Sequence, residues 1–304
     1  MYGNIKAAVM GSINMDIILS AEKLPDIGEN VLGSTYSYAC GGKGANQATG
    51  LSRLGAKTVM IGKVADDING NKLIDNLIKN NVDVSGVSKE GSSTGLAAIL
   101  IDSEGRNRII VYEAANAEII PEKAAESITD DLDVLLVQFE TNEEAVIGCV
   151  NTAVKKGITT VVDCGPAKNF SLEKMQGITI ITPNENETEA LTGIFPGDEK
   201  TALEASRVLY SRTLARYVVL KLGSRGCSVY DGEEICFFPS YPTKVLDTTA
   251  AGDSFTAALA LEYVKSGDIK KACDMGNKAG SIAVSRVGAE FSMPKAEELL
   301  KVGE

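Results

Sequence analysis

The stretch VLLVQFETNEEAVIGCVNTAVKKGITTVVDC, residues 134–164, contains a strand, a helix and a second strand in succession. Both ends are apolar and rich in Val, Ile and Leu, which is typical of strands buried on both faces of a parallel sheet. The middle predicts a helix over residues 143–156 that is closed by Gly157. Since parallel strands need such a crossover helix, the stretch predicts an α/β fold.

The same alternation extends in both directions from this unit. Apolar strands are predicted at AAVMGS, TVMIGKV, ITIIT and YVVLKLG, with helices over residues 44–54 and 69–79. We therefore expect a mostly parallel sheet that is covered by helices on both faces.

Hairpin-like stretches interrupt this alternation. Residues 15–40 and 94–114 alternate apolar and polar positions and are expected to form a small separate sheet that acts as a lid. A third hairpin, CSVYDGEEICFF, turns at Asp231 and Gly232 and is expected at an antiparallel edge of the main sheet. No linker divides the chain, so we expect residues 1–304 to form a single α/β domain.

Composition narrows the classes of function. The chain has 304 residues, is 44% hydrophobic and carries a formal net charge of −11. No apolar run reaches the roughly 18 residues that a membrane span needs, and the negative charge argues against nucleic acid as the main partner. The first residues lack the features of a signal peptide, so we expect a cytoplasmic protein.

The reactive residue types narrow the chemistry that the protein can perform. The sequence contains no histidine, and its six cysteines show no paired or metal-ligand spacing. We therefore expect isolated thiols, and we expect acid and base chemistry to fall to carboxylates, Lys, Tyr or Cys.

A run of small residues lies late in the chain, in DTTAAGDSF (residues 247–255). Small side chains leave the backbone N–H groups accessible, and a helix predicted to begin at Asp253 adds the positive end of its dipole. The stretch predicts an anion hole for a phosphoryl group. Locally, an N-cap with no catalytic role is the more common explanation for Asp253.

Two polar stretches have both a binding and a structural interpretation. GSINMD places Asn14 and Asp16 on one side of an extended segment, which suits neighbouring hydroxyls, although these residue types also form turns. In CGGKGANQA (residues 40–48) the glycines allow close approach to a ligand, although a tight strand-to-helix turn would use them too. In that stretch Lys43 is either a ligand contact or a solvated charge.

TPNENE follows another buried strand and places Asn184 and Glu187 three residues apart. On the first turn of a helix this spacing puts both side chains on one face, where they could hold a hydrated divalent ion. Ordinary helix capping explains the same spacing.

Taken together, GSINMD, GGKGANQA, TPNENE, KLGSRG and DTTAAGDSF occur in the order and roughly the spacing found in the ribokinase-like (PfkB) carbohydrate kinases. The resemblance extends from Val9 to Pro294. It implies a doubly wound α/β sandwich with a β-sheet lid, in agreement with the pattern above. It also implies transfer of the γ-phosphoryl group of Mg-ATP to a sugar hydroxyl, with the 5-hydroxyl of D-ribose as the expected acceptor. Lids of this family pair between subunits, so a homodimer is implied.

The resemblance also implies roles for individual residues. Asp253 is implied as the base, beside an anion hole formed by the amides of Ala250, Ala251, Gly252 and Asp253. The implied sugar contacts are Asn14, Asp16, Gly42, Lys43, Asn46 and Glu140. The implied nucleotide contacts are Asn184, Lys221, Gly223, Gly226, Gly252 and Asn277. Asn184 and Glu187 are implied to hold Mg²⁺ through water.

A monovalent cation, usually potassium, is implied beside the anion hole. The matching positions are the side chain of Asp247, the carbonyls of Thr249, Ala283, Arg286 and Gly288, and the hydroxyl of Ser292. Lys221 stands where Thr is frequent in the family, and Asn277 where some members carry His. Both differences concern nucleotide recognition.

Two other functions stay open. One is a kinase of the same family that acts on fructose, 2-deoxyribose or a nucleoside, since a few residues change hydroxyl recognition. Asn14, Asp16 and Glu140 favour a small polyhydroxy ring over a nucleoside. The other is a catalytically silent sugar or nucleotide sensor on the same fold. The presence of Asp253 and Glu187 argues against a sensor.

Overall fold

The computed structural model describes residues 2–303. The strands are β1 (Lys6–Met10), β2 (Asn14–Ala21), β3 (Gly33–Gly41), β4 (Lys57–Ala65), β5 (Asp83–Gly91), β6 (Gly95–Ile101), β7 (Asn107–Tyr112), β8 (Val134–Gln138), β9 (Thr159–Asp163), β10 (Ile180–Thr182), β11 (Tyr217–Lys221), β12 (Cys227–Tyr230) and β13 (Ile235–Phe238).

The helices alternate with these strands. They are α1 (Lys43–Arg53), α2 (Ile68–Lys79), α3 (Pro121–Glu126), α4 (Glu143–Lys155), α5 (Glu185–Thr192), α6 (Glu199–Thr213), α7 (Ala251–Ser266), α8 (Ile269–Val284), α9 (Ala289–Ser292) and α10 (Ala296–Leu299). Short 3-10 helices occupy Ala114–Glu118, Leu172–Lys174 and Gly223–Arg225. Within residues 2–303, every helix falls short of the length or the apolar character that crossing a bilayer requires.

The main sheet has nine strands in the order β13-β12-β11-β10-β9-β8-β1-β4-β5. The strands from β11 to β5 run parallel, and β12 and β13 add an antiparallel edge. Neighbouring residues of β1 enter separate cores: Val9 packs with α1, α2, α7 and α8, whereas Met10 packs with α3, α4 and α6. The predicted α/β sandwich and its antiparallel edge hairpin are confirmed.

The predicted small sheet is also present, with strand order β3-β2-β6-β7. Strand β2 pairs antiparallel with β3 and parallel with β6, and β7 closes the other edge. Asn14 opens β2 opposite both Gly41 and Gly95, so the small sheet starts close to the carboxyl end of β1.

That end of β1 is where the strand order of the main sheet reverses. The next strand along the chain in the large sheet, β4, lies on one side of β1, and β8 lies on the other. Connections on the two sides diverge at such a point and leave a crevice above the carboxyl ends of the strands, where open α/β sheets bind ligands. The small sheet, α1 and α7 meet at this crevice.

Candidate active site

The first turn of α7 carries the small-residue run of DTTAAGDSF. The helix begins at Ala251, two residues before the predicted start at Asp253, so that boundary and the capping role of Asp253 were wrong. Ala250 is the N-cap in the left-handed conformation, with φ of 59°, and its carbonyl accepts the Ser254 N–H at 2.9 Å. Because Ala250 takes this conformation, the helix begins earlier in the chain than predicted.

The freed amides are those expected of an anion hole. The Ala251 N–H makes a long bond of 3.3 Å to the Thr248 carbonyl. Within residues 2–303, the N–H groups of Gly252 and Asp253 have no protein acceptor, as is usual for a first helical turn. They point out of the end of α7, where the helix dipole favours an anion.

The Asp253 carboxylate is buried, with 4% of the residue exposed. Its Oδ2 accepts from Asn46 Nδ2 at 3.0 Å and its Oδ1 accepts from Gln47 Nε2 at 3.1 Å. Both donors lie on the first turns of α1, which packs against α7. The carboxylate is therefore held in one orientation while each oxygen keeps a free lone pair.

Lys43 lies at the start of α1 and interacts electrostatically with four carboxylates, those of Asp253, Asp163, Glu187 and Glu140. Burial alone would lower the pKa of its ammonium, but these charges raise that pKa overall to well above its ordinary value. Lys43 is thus protonated in an acidic site.

The residues that the resemblance assigns to the sugar form a second polar cluster beneath the small sheet. Glu140 Oε2 accepts the Lys43 backbone N–H at 3.0 Å and also accepts the Ser12 hydroxyl. Buried Asn14 accepts from Asn116 Nδ2 at 2.7 Å through its Oδ1. This leaves the Asn14 amide donors available to a ligand hydroxyl. The structure brings Asn14, Asp16 and Glu140 to one side of the crevice.

Asp16 lies on β2 beside this cluster. Its burial, together with the charge of Glu140, raises the pKa of the Asp16 carboxyl to about 7. The carboxyl therefore changes protonation state near neutral pH.

If Asp16 contacts a sugar hydroxyl, as the resemblance implies, sugar binding should depend on pH. An ionised carboxylate accepts from a hydroxyl more strongly than a neutral carboxyl does, so bound sugar favours ionised Asp16. Below pH 7 that proton must first leave, and we expect the sugar dissociation constant to rise about tenfold between pH 8 and pH 6. Calorimetric titrations at several pH values measure it. Asp16→Asn should bind weakly with a flat profile, and a flat wild-type profile would contradict the prediction.

Glycines bring α1 against the end of β1. A Cβ on Gly42, whose φ is +88°, would lie 2.8 Å from the Asn14 nitrogen. A Cβ on Gly44 would lie 2.6 Å from the Gly11 carbonyl carbon and 2.7 Å from the Ser12 nitrogen. The glycines therefore serve the close approach of two backbones, and the ligand site lies beside this contact.

We accordingly expect Gly44→Ala to lower the free energy of unfolding by about 1–3 kcal/mol, because backbone must move to admit the methyl group. Gly148→Ala in α4 is the matched control, since its Cβ would meet nothing closer than the Pro121 oxygen at 3.8 Å. That variant should gain about 0.5–1 kcal/mol. Urea unfolding of both variants decides the matter, and equal effects would refute the packing argument.

Asn184 and Glu187 make the capping box that sequence reasoning left open. Asn184 Oδ1 accepts the Glu187 N–H at 2.9 Å, and Glu187 Oε2 accepts the Asn184 N–H at 2.8 Å. The other Glu187 oxygen, Oε1, and Lys43 Nζ both lie over Gly165. Each is 2.6 Å from the position that a Cβ on Gly165 would take. A carboxylate oxygen spared by the cap suits a hydrated Mg²⁺, so capping and ion binding are compatible.

A cavity of ≈ 620 Å³ opens on the other side of Gly252. The predicted nucleotide residues Lys221, Gly223, Gly226 and Asn277 line it, with Tyr241 and other largely apolar side chains. Asn277 Nδ2 donates to the Phe238 and Pro239 carbonyls at 3.1 Å each. Asn184 is absent from this lining; it lies nearer the carboxylate cluster.

The predicted cation residues come from two segments that the structure joins, the loop before α7 and the stretch from the end of α8 to α9. Asp247 accepts the Thr249 N–H at 2.9 Å and the Gly288 N–H at 2.9 Å. Burial alone would raise the pKa of Asp247, but hydrogen bonds from the Thr249 hydroxyl and from these two N–H groups lower it overall, so the carboxylate stays ionised. The Ala283 carbonyl accepts the Arg286 N–H at 3.1 Å, and buried Ser292 donates to the Ala289 carbonyl. An ionised carboxylate among carbonyl oxygens suits a hard monovalent cation.

Sequence reasoning missed several polar residues of the site. Gln47, Asn116 and Asp163 each hold a predicted residue in place, and all are buried. A usable signal existed for Asp163, because it ends β9 at the same edge of the sheet as Glu140, which follows β8.

Comparison with known proteins agrees with this arrangement. A ribokinase of Bacillus subtilis (strain 168) is 35% identical over 297 residues, covering 96% of this chain and 98% of the relative. The structure of Arabidopsis thaliana ribokinase complexed with ribose and ATP superposes with a TM-score of 0.89 at 31% identity, covering 98% of each chain. A Thermotoga maritima ribokinase structure also has a TM-score of 0.89, at 32% identity, covering 97% of this chain and 98% of that one. The model of the pfkB family carbohydrate kinases matches residues 4–296, and the chain belongs to that family.

Proposed function

We propose that this enzyme phosphorylates D-ribose at its 5-hydroxyl with ATP and yields D-ribose 5-phosphate and ADP. One observation carries the proposal. Asp253 is bonded to Asn46 of α1, the first residue of that helix, Lys43, is bonded to Glu140 of the polar cluster, and Gly252 lines the large cavity. A sugar hydroxyl and a terminal phosphate would meet there. The ribokinase relatives support ribose as the sugar.

The chemistry follows from the groups at this junction. Asp253, held by Asn46 and Gln47, accepts the proton of the attacking hydroxyl. The N–H groups of Gly252 and Asp253 stabilise charge on the transferring phosphoryl group, with Ala250 and Ala251 shaping the turn that exposes them. Lys43 offsets the repulsion between the site carboxylates and the phosphates.

Two ions belong to the proposal. Mg²⁺, held through water by Glu187 and Asn184, would neutralise charge on the nucleotide phosphates. A potassium ion at Asp247, the carbonyls of Thr249, Ala283, Arg286 and Gly288, and Ser292 would stabilise the loop that leads into the anion hole.

The test is ADP release from Mg-ATP with D-ribose, 2-deoxyribose, fructose and adenosine, each in potassium and in sodium. We expect the highest kcat/KM with ribose and an increase in potassium. Turnover on another sugar alone would refute the substrate and keep the mechanism. ADP release that no sugar stimulates would favour a sensor. Equal rates in both salts would refute the cation site.

We also propose that residues 1–304 act as one kinase domain whose small sheet, built from residues of the segments 15–40 and 94–114, closes as a lid. The face of this sheet opposite Asn14 and Asp16 is apolar and open to solvent: Tyr36 is 71% exposed, Tyr38 59% and Tyr112 58%. A second copy of the lid would cover it. Light scattering should give the mass of a homodimer, and a monomer at micromolar concentration would refute this assembly.

A cytoplasmic location is proposed too, because six free thiols suit a reducing compartment.

A further inference from the structure

Asp163 is a fully buried carboxylate at the end of β9 that the mechanism above does not use. Its Oδ2 accepts from Lys221 Nζ at 3.0 Å, Gln47 Nε2 at 3.0 Å and Thr256 Oγ1 at 3.1 Å. Its Oδ1 accepts the Gly165 N–H at 3.2 Å. Burial alone would raise the pKa of this carboxyl, but the ammonium groups of Lys221 and Lys43 lower it overall, so Asp163 is ionised.

Gln47 connects this carboxylate with Asp253. Its Nε2 carries two hydrogens and makes two bonds, one to Asp163 at 3.0 Å and one to Asp253 at 3.1 Å. Its Oε1 accepts from Gln138 Nε2 at 2.6 Å, which fixes the orientation of the amide. The direction of the Gln47 donor, and with it the orientation of Asp253, therefore depends on an acceptor at position 163.

Lys221 depends on Asp163 more directly. Its side chain is only 10% exposed, and Asp163 is its ion-pair partner. The ammonium is 3.5 Å from the position that a Cβ on Gly252 would take, so it lies beside the anion hole. A buried ammonium that loses its partner must find another acceptor or lose its charge. The other carboxylate that acts on this ammonium is that of Glu187. Asp163 is joined to the Asp253 carboxylate through Gln47.

We propose that Asp163 is a positioning residue for phosphoryl transfer: it retains Lys221 at the phosphate side of the anion hole, away from Asp253, and aims Gln47 at Asp253. This inference rests on the proposed kinase reaction. Lys221 and Gln47 then each have a fixed acceptor in Asp163, and Asp253 stays free to accept a proton.

An amide at position 163 cannot reproduce these contacts. If its NH₂ replaced Oδ2 it would face two groups that can only donate, the Lys221 ammonium and the Gln47 amide. If it replaced Oδ1 it would face the Gly165 N–H. In addition, the negative charge that holds the ammonium is lost in both orientations, so Lys221 is released.

The test is a pair of variants with kinetics at saturating ATP. Asp163→Asn should lower kcat about 100-fold, with the sugar KM changed less than about threefold, because the released Lys221 neutralises the base. Adding Lys221→Met should raise kcat about tenfold over Asp163→Asn while raising the KM for ATP. Recovery on removing a second buried side chain is not expected of residues that only support the fold.

Three further measurements complete the design. The control is Glu262→Gln. Glu262 is a buried carboxylate on α7 that accepts the Tyr2 hydroxyl at 2.7 Å, and this variant should keep wild-type kcat. Should Asp163→Asn fail to fold, Gln47→Met breaks the bridge without changing charge and should lower kcat about tenfold at an unchanged sugar KM. All assays use the sugar that the wild type phosphorylates fastest. If the wild type does not phosphorylate ribose, only the proposed substrate is refuted, and the role of Asp163 is still tested. Wild-type kcat in Asp163→Asn or Gln47→Met, or a double variant no faster than Asp163→Asn, would overturn the role of Asp163.

Discussion

Asp253→Asn lowers kcat by about a thousandfold and leaves the dissociation constant of the sugar within about threefold of the wild-type value. The substitution keeps the shape of the side chain and removes the only property that the proposed reaction needs from it, a charged oxygen that accepts a proton. General bases contribute about 10²- to 10⁴-fold, and a buried carboxylate next to the reacting hydroxyl belongs in the upper part of that range. In the proposed reaction, sugar binding depends instead on Asn14, Asp16 and Glu140.

The contacts of Asp253 show what the variant does to the fold. Its two oxygens accept from Asn46 and Gln47, so the new NH₂ group must face one donor. Stability should fall by about 1–3 kcal/mol, the cost of one buried polar group left without its partner. Calorimetry for binding, steady-state kinetics for kcat and urea unfolding for stability separate the three effects.

Ser254→Ala is the control for Asp253→Asn. It changes the next residue of the same helical turn, and within residues 2–303 the buried Ser254 hydroxyl has no hydrogen-bond partner. Its loss should leave kcat within about twofold. If Asp253→Asn kept more than a tenth of wild-type kcat, Asp253 would not be the base.

Sequence reasoning identified some residues from a local pattern and others only from the family resemblance. The Ala-Ala-Gly run predicts free amides, and the structure shows them at Gly252 and Asp253. The helix boundary was misplaced because Ala250 adopts a left-handed conformation that non-glycine residues seldom use. Helix-start rules favour Asp253 as the cap, and they carry no information about such a turn.

The residues that it missed act across the fold. Gln47 and Asp163 are 116 positions apart, and Gln47 and Asp253 are 206 apart. Periodicity gives the face on which each side chain lies, and it does not say which polar groups meet once β9, α1 and α7 are packed. Buried polar groups must nevertheless be paired. A polar residue at the end of a buried strand, such as Asp163, is therefore a site candidate even without a motif.

The four carboxylates around Lys43 make this lysine the residue on which the electrostatic balance of the site depends. At an effective dielectric constant of about 20, a unit charge about 4 Å from another is worth roughly 4 kcal/mol. Lys43→Met removes the attraction and leaves the repulsion between the carboxylates and the phosphates of ATP. We expect kcat/KM to fall at least about 10³-fold, since each 1.36 kcal/mol or so corresponds to a factor of ten.

The pH profile gives Lys43→Met a second signature. Removing a cation raises the pKa of neighbouring carboxyls, so the residual activity should increase from pH 6 to pH 9, where wild-type activity changes less. Lys63→Met is the matched control: this lysine is also buried, donates to the Glu118 carbonyl at 3.0 Å and pairs with one carboxylate outside the site. It should keep wild-type kcat/KM while losing stability. A Lys43→Met enzyme with kcat/KM within tenfold of wild type would show that the carboxylates, not the lysine, set the charge that the phosphates meet.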